Sequence, residues 1–110
     1  MNNVLFLPKV LRYSEKLVQI LYDKGYFGFK DTAKEYVQEL FYNIETTLPS
    51  CPHKSAPKYF DKYGKDMKYA SFRKNKHTTW YAFFKTYYKN GEPIYLVRYV
   101  SNNHVIAQYL

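Results

Sequence analysis

The stretch Thr78-Thr79-Trp80-Tyr81-Ala82-Phe83-Phe84-Lys85-Thr86-Tyr87-Tyr88-Lys89-Asn90-Gly91-Glu92-Pro93-Ile94-Tyr95-Leu96-Val97-Arg98-Tyr99-Val100 decides the fold. Asn90-Gly91 supplies the positive φ angles of a two-residue type I′ turn. Aromatic and β-branched residues crowd both sides of it, so the spacing predicts antiparallel strands over residues 78–88 and 93–100. With Lys89 opposite Glu92, one face pairs Tyr87 with Ile94, Lys85 with Leu96, Phe83 with Arg98 and Tyr81 with Val100. The other face pairs Thr86 with Tyr95, Phe84 with Val97 and Ala82 with Tyr99, with Trp80 beyond them. A further strand over residues 67–74 turns the hairpin into a meander.

Outward from the meander, residues 4–7 are apolar and closed by Pro8, which predicts a short edge strand. Ser14 is placed to cap a helix over residues 14–24, with Leu17, Val18, Leu21 and Tyr22 at helical spacing and Gly25 as its stop. Asp31 caps a second helix, in which Ala33, Val37, Leu40, Ile44 and Leu48 recur at steps of three and four until Pro49. The short join between them predicts an antiparallel helix hairpin. Residues 50–65, with Pro52, Pro57 and Gly64, keep no period and read as a loop with one short turn. The class is therefore α+β: an N-terminal strand and a two-helix hairpin packed on an antiparallel meander, in one domain over residues 1–110.

Two helices cover one face of such a sheet. The face of Trp80, Ala82, Phe84 and Val97 carries no charge and is assigned to the helices, leaving the face of Lys85 and Arg98 at least partly open. Tyr81, Phe83 and Tyr87 would then stand beside cations, a surface for stacking bases or gripping a protein. The alternative is that the 50–65 loop covers these rings.

Composition sets bounds. At 110 residues and 46% hydrophobic, the chain buries enough surface to fold without disulfides or metals. No apolar run approaches the roughly 20 residues of a membrane-spanning helix. Met1-Asn2-Asn3 and the residues after them lack the basic start and long apolar centre of a secretory leader, so the cytoplasm is the expected location. Cys51 is the single cysteine; with His53 it falls short of the four ligands of a structural zinc, and no cofactor is expected.

The formal charge is +8 and lies entirely in the second half: residues 1–50 hold six basic and six acidic side chains, residues 51–110 eleven and three. Such a field concentrates polyanions, which makes nucleic acid the leading class of partner. Lysine predominates over arginine, favouring solvated phosphate contacts over base reading. Lys68, Lys74, Lys76 and Lys85, with Tyr81 and Tyr87, are the candidate nucleic-acid contacts.

The order strand, helix hairpin, basic loop and meander, with Phe72-Arg73-Lys74, Thr78-Thr79-Trp80-Tyr81-Ala82-Phe83-Phe84 and the run from Ile94 through Arg98 to Ser101-Asn102-Asn103-His104, resembles the RelE/ParE superfamily of bacterial toxins. The resemblance is sharpest over residues 67–110. It implies the toxin of a type II toxin–antitoxin pair, neutralised by an antitoxin encoded nearby. RelE-like members cut messenger RNA on the ribosome without a metal; ParE-like members poison DNA gyrase. A domain of this fold that only binds nucleic acid or protein is the third possibility.

RNA cleavage needs a base for the 2′-hydroxyl proton, a proton for the leaving oxygen and cations for the phosphate charge. In RelE-like enzymes these fall to Arg and Lys of the sheet and a Tyr or His near the C-terminus. The matching candidates are Arg73, Arg98, His104 and Tyr109, with no metal ligand among them. Imidazole, with a pKa of about 6.5 in water, serves as acid or base near neutrality. Arg98 can instead cover Phe83 with its stem, and His104 can instead cap a turn. Thr79-Trp80 stands where RelE-like enzymes place an arginine, and Ser101-Asn102-Asn103-His104 where they carry a basic cluster.

Overall fold

Sheet formation is organised by the turn at Asn90 and Gly91, where both residues take positive φ, 53° and 79°, as a type I′ turn requires. The computed structural model describes residues 3–110; Met1 and Asn2, part of the reading of the amino terminus, lie outside the described residues. The chain runs β1 (Val4–Phe6), α1 (Pro8–Asp23), α2 (Lys30–Thr47), β2 (Lys54–Ser55), β3 (Lys68–Asn75), β4 (Thr78–Lys89), β5 (Glu92–Asn102) and α3 (Asn103–Ile106). Short 3₁₀ turns occupy Leu48–Ser50, Lys58–Tyr63 and Ala107–Tyr109. The sheet order is β1-β5-β4-β3-β2, with β1 parallel to β5 and every other pair antiparallel. An α+β architecture with a five-stranded mixed sheet follows.

The expected register holds from Lys89↔Glu92 to Phe84↔Val97 and then breaks. Phe83 faces Tyr99, Ala82 faces Val100 and Tyr81 faces Ser101, not Arg98, Tyr99 and Val100. Arg98 is one extra residue on β5, a β-bulge, and the alternation of side chains inverts beyond it. Val97 and Val100 consequently both join Trp80, Ala82 and Phe84 in the core beneath the helices, against Leu17, Val37, Leu40 and Ile44.

Helix α1 starts at Pro8, six residues before the expected cap. Proline at the first helical position lacks only an N–H that would have no intrahelical partner, and its ring presets φ. Ser14 lies inside the helix, its hydroxyl donating to the Leu11 carbonyl at 2.6 Å. At the other end, Gly25 (φ 76°) does terminate α1. Its N–H donates to Tyr22 O at 3.0 Å and the Tyr26 N–H to Leu21 O at 3.2 Å, the paired bonds of a Schellman cap. The residue before α2 is Phe29, which offers no side-chain cap, and Asp31 sits within the first turn, where its charge favours the helix N-terminus.

The second face of the sheet is covered. Phe83 is fully buried with Phe60, Met67, Tyr69 and Ile106, and its ring lies 4.4 Å from that of Phe60. Of the two expectations for this face, the covering loop holds: Lys58–Tyr63 lays Phe60 across the sheet, and α3 adds Ile106. Leaving so many rings in water would forfeit about 2 kcal/mol for each large side chain, which is the physical reason for closure. Gly64 permits the loop to close: a Cβ there would stand 2.8 Å from Arg98 Nε and 3.2 Å from Met67 Sδ.

Replacing Phe83 with Ala therefore removes a core ring; a loss of about 3–5 kcal/mol in chemical denaturation is expected. Exposed Tyr87→Ala should change stability by about 0.5 kcal/mol or less. Equal, small effects would mean that this face is not a core.

Candidate functional site

The residues after β5 fasten its end to the turn between β3 and β4. Asn102 Oδ1 accepts from the His104 N–H at 2.9 Å and caps α3. Asn103 Oδ1 accepts from the Thr79 N–H at 2.9 Å, and its Nδ2 donates to His77 O at 3.0 Å. Capping thus falls to Asn102, and the imidazole of His104 is left to face Thr78, with Nε2 3.1 Å from Thr78 Oγ1.

Two grooves meet here. The larger, about 500 Å³, lies between the helix hairpin and the sheet end, walled by Leu21, Phe27, Tyr36 and Trp80 and rimmed by Asn75, Thr78, Asn102 and His104. Trp80 Nε1 donates to Tyr36 Oη at 3.0 Å, which satisfies the buried indole. The smaller, about 370 Å³, is lined by Lys9, Tyr13, Tyr63, Arg98, Tyr99 and Ser101 with their apolar neighbours, and no lining residue is acidic. Tyr13 and Val105 line both grooves, so the two adjoin.

Arg98 is oriented by the bulge and by its own hydrogen bond: Nε donates to Tyr63 O at 2.7 Å. Its terminal nitrogens have no protein partner among the described residues. Lys9 Nζ stands 5.9 Å from the Tyr63 ring centroid, and Tyr63 stacks on Tyr99 at 3.9 Å. Burial, reinforced by the Tyr99 hydroxyl, pushes the Tyr13 hydroxyl up to about 12. Burial likewise pushes Tyr63 up to about 12, with a Tyr99 hydrogen bond adding to it. Both remain neutral donors beside two cations.

The expected site residues separate into groups. His104 and Arg98 occupy adjoining grooves. Arg73 is exposed, with Nε donating to Asn75 O at 3.2 Å near the groove rim. Tyr109 lines neither groove and stacks on Tyr59 at 3.7 Å. Lys74 lies on the helix side, 3.7 Å from the Glu39 carboxylate and 4.9 Å from the Tyr36 ring centroid. Alternation along β3 sends it there with Phe72, toward α2. Lys68 and Lys76 are exposed, Lys85 is half-buried and Tyr87 is exposed at the far end of the hairpin. Tyr81 is half-buried edge-on to Tyr69. Lys9, Tyr13 and Tyr63 are additional; the first two fall one helical turn apart once α1 is started at Pro8.

Among the described residues, Lys74–Glu39 is the one ion pair. No family model, no curated protein and no solved structure matches this chain.

The tyrosines give a pH test. A phenol whose pKa is raised by folding holds its proton in the native state while the unfolded chain has lost it. The stability from Tyr13 and Tyr63 is therefore present below about pH 10 and falls between about pH 10 and 12. Absorbance titration at alkaline pH should show late-ionising hydroxyls that Tyr13→Phe and Tyr63→Phe each reduce by one. A single titration near the ordinary tyrosine value would overturn this account of the groove.

Proposed function

We propose that the chain is a toxin of the RelE/ParE kind that acts on messenger RNA at the ribosome as an endonuclease needing no metal, held in check by an antitoxin encoded nearby. Support comes chiefly from one juxtaposition: the groove of His104 adjoins a groove holding Lys9 and Arg98, whose lining has no carboxylate. The element order supports it as well, with a parallel N-terminal strand and a helix hairpin on one face of a meander.

In this reading the phosphodiester lies across the junction at Tyr13 and Val105. His104 takes the 2′-hydroxyl proton as the 2′-oxygen bonds to phosphorus. The P–O5′ bond breaks, and the 5′-oxygen draws a proton from solvent. The products are a 2′,3′-cyclic phosphate and a 5′-hydroxyl. Arg98 and Lys9 stabilise the charge that builds on the phosphate oxygens, the neutral Tyr13 and Tyr63 hydroxyls donating beside them.

A second reading, a non-catalytic toxin that binds DNA gyrase or a plain binding domain of the same fold, is favoured by one observation. Tyr109, the other C-terminal candidate, is stacked on Tyr59 outside both grooves. Induction in bacteria separates the readings. Codon-phased cuts in transcripts are expected; DNA damage without cuts would indicate the gyrase poison, and neither effect would leave binding alone.

Removing the imidazole with His104→Ala should lower RNA cleavage by about 100-fold or more, with unchanged cleavage refuting the role. In RNA binding measured against salt, Lys76→Gln and Lys85→Gln should each flatten the slope by about 0.7 for single strands. Lys74→Gln should leave that slope alone and lower the melting temperature instead; the reverse pattern would return Lys74 to the phosphate contacts.

A further inference from the structure

Two asparagines on the rim of the larger groove have one amide atom engaged and the other free. Asn75 Oδ1 accepts from the His77 N–H at 2.9 Å, and Asn102 Oδ1 accepts from the His104 N–H at 2.9 Å. A backbone N–H only donates, so both amides have their orientation fixed, and the atom left over is in each case the Nδ2 donor. Among the described residues neither Nδ2 has a protein partner, whereas Asn103 nearby has both of its amide atoms engaged.

These donors stand at the ends of β3 and β5, on either side of the start of β4, and Lys24 adds a third to the same groove. Behind the rim, Tyr36 and Phe27 supply aromatic surface, with the buried Trp80 beneath them. The cavity, about 500 Å³, falls in the range of small-molecule sites built from an apolar wall and a few convergent polar groups.

We propose that this cavity binds a keto-bearing nucleobase, guanine above all, stacked on the aromatic wall with its O6 and N7 accepting from Asn75 Nδ2 and Asn102 Nδ2. Guanine presents these two acceptors side by side, while adenine places an amino donor where guanine has O6 and would set donor against donor. The phosphate of the same nucleotide then reaches Arg98 and Lys9 through the junction at Tyr13. The choice of a base within an RNA strand, over a free nucleotide, rests on the function proposed above.

Trp80 is the single tryptophan and lines the cavity, so its emission reports occupancy. Saturable quenching by guanosine 3′-monophosphate is expected, with adenosine 3′-monophosphate binding about tenfold or more weakly. Asn75→Asp and Asn102→Asp keep the oxygen that accepts from the backbone and exchange the amino donor for a second oxygen; aspartate also remains a good helix cap at position 102. With the fold checked by circular dichroism, each should weaken guanosine 3′-monophosphate by about tenfold, a larger loss than for the adenosine compound. Equal quenching by the two nucleotides, or unchanged guanosine binding in both variants, overturns the assignment. A guanine-containing oligoribonucleotide that binds more tightly than the mononucleotide supports a strand as the source; equal affinity overturns that choice in favour of the free nucleotide. Codon-phased cleavage indifferent to guanine would sink the base site and spare the nuclease, and guanosine-selective quenching without cleavage would do the opposite.

Discussion

One unpaired residue in β5 governs how both faces of the sheet are used. Arg98 has no partner across the ladder, since Phe84 pairs with Val97 and Phe83 with Tyr99. In an unbroken strand, residues three apart point to opposite sides. The bulge lets Val97 and Val100 both enter the core beneath the helices, while Tyr99 turns to the other face and stacks on Tyr63. It also brings Asn102 opposite Trp80, where a regular ladder would have put Ser101. The cap of α3, the placement of His104 and the free Asn102 amide all descend from that one-residue offset, and bulges commonly re-aim side chains in this way.

The sheet is consequently a middle layer and not a floor. On one side the helix hairpin buries an aliphatic and aromatic core; on the other a 3₁₀ turn and α3 bury a smaller one around Phe83. With both faces covered, concave surface is left at the margins where the covering elements stop, and the two grooves lie there. Cations at these margins have tyrosines and backbone carbonyls for neighbours instead of carboxylates, an arrangement that orients them without neutralising them.

Much of the fold was legible because local chemistry dictated it. Asn90-Gly91 set the hairpin and its near register, the three-and-four spacing of Val37, Leu40 and Ile44 marked the buried stripe of α2, and Gly25 marked the end of α1. The bulge was not legible, because nothing local distinguishes Arg98 from a paired residue; only the simultaneous packing of Val97 and Val100 demands it. Pro8 was ambiguous for a different reason, since proline both closes strands and opens helices. That ambiguity hid the turn bearing Lys9 and Tyr13, and with it one wall of the smaller groove. His104 and Arg98 were recognisable as candidates from residue type and position. Their adjacency, and the diversion of Lys74 to Glu39 and Tyr36, depend on contacts between segments far apart in the chain.

The parallel pairing of β1 with β5 has a bearing on biosynthesis. Among the described residues, the strand that β1 pairs with is β5, with the Tyr95 N–H donating to Asn3 O at 2.8 Å and the Leu7 N–H to Val97 O at 3.0 Å. While a ribosome is still making the meander, β1 has no ladder to join, and the register that it shares with Val97 cannot form. The grooves, which draw on α1 at one side and the end of β5 at the other, come into being only after the final strand has emerged, so a nascent chain carries neither of them.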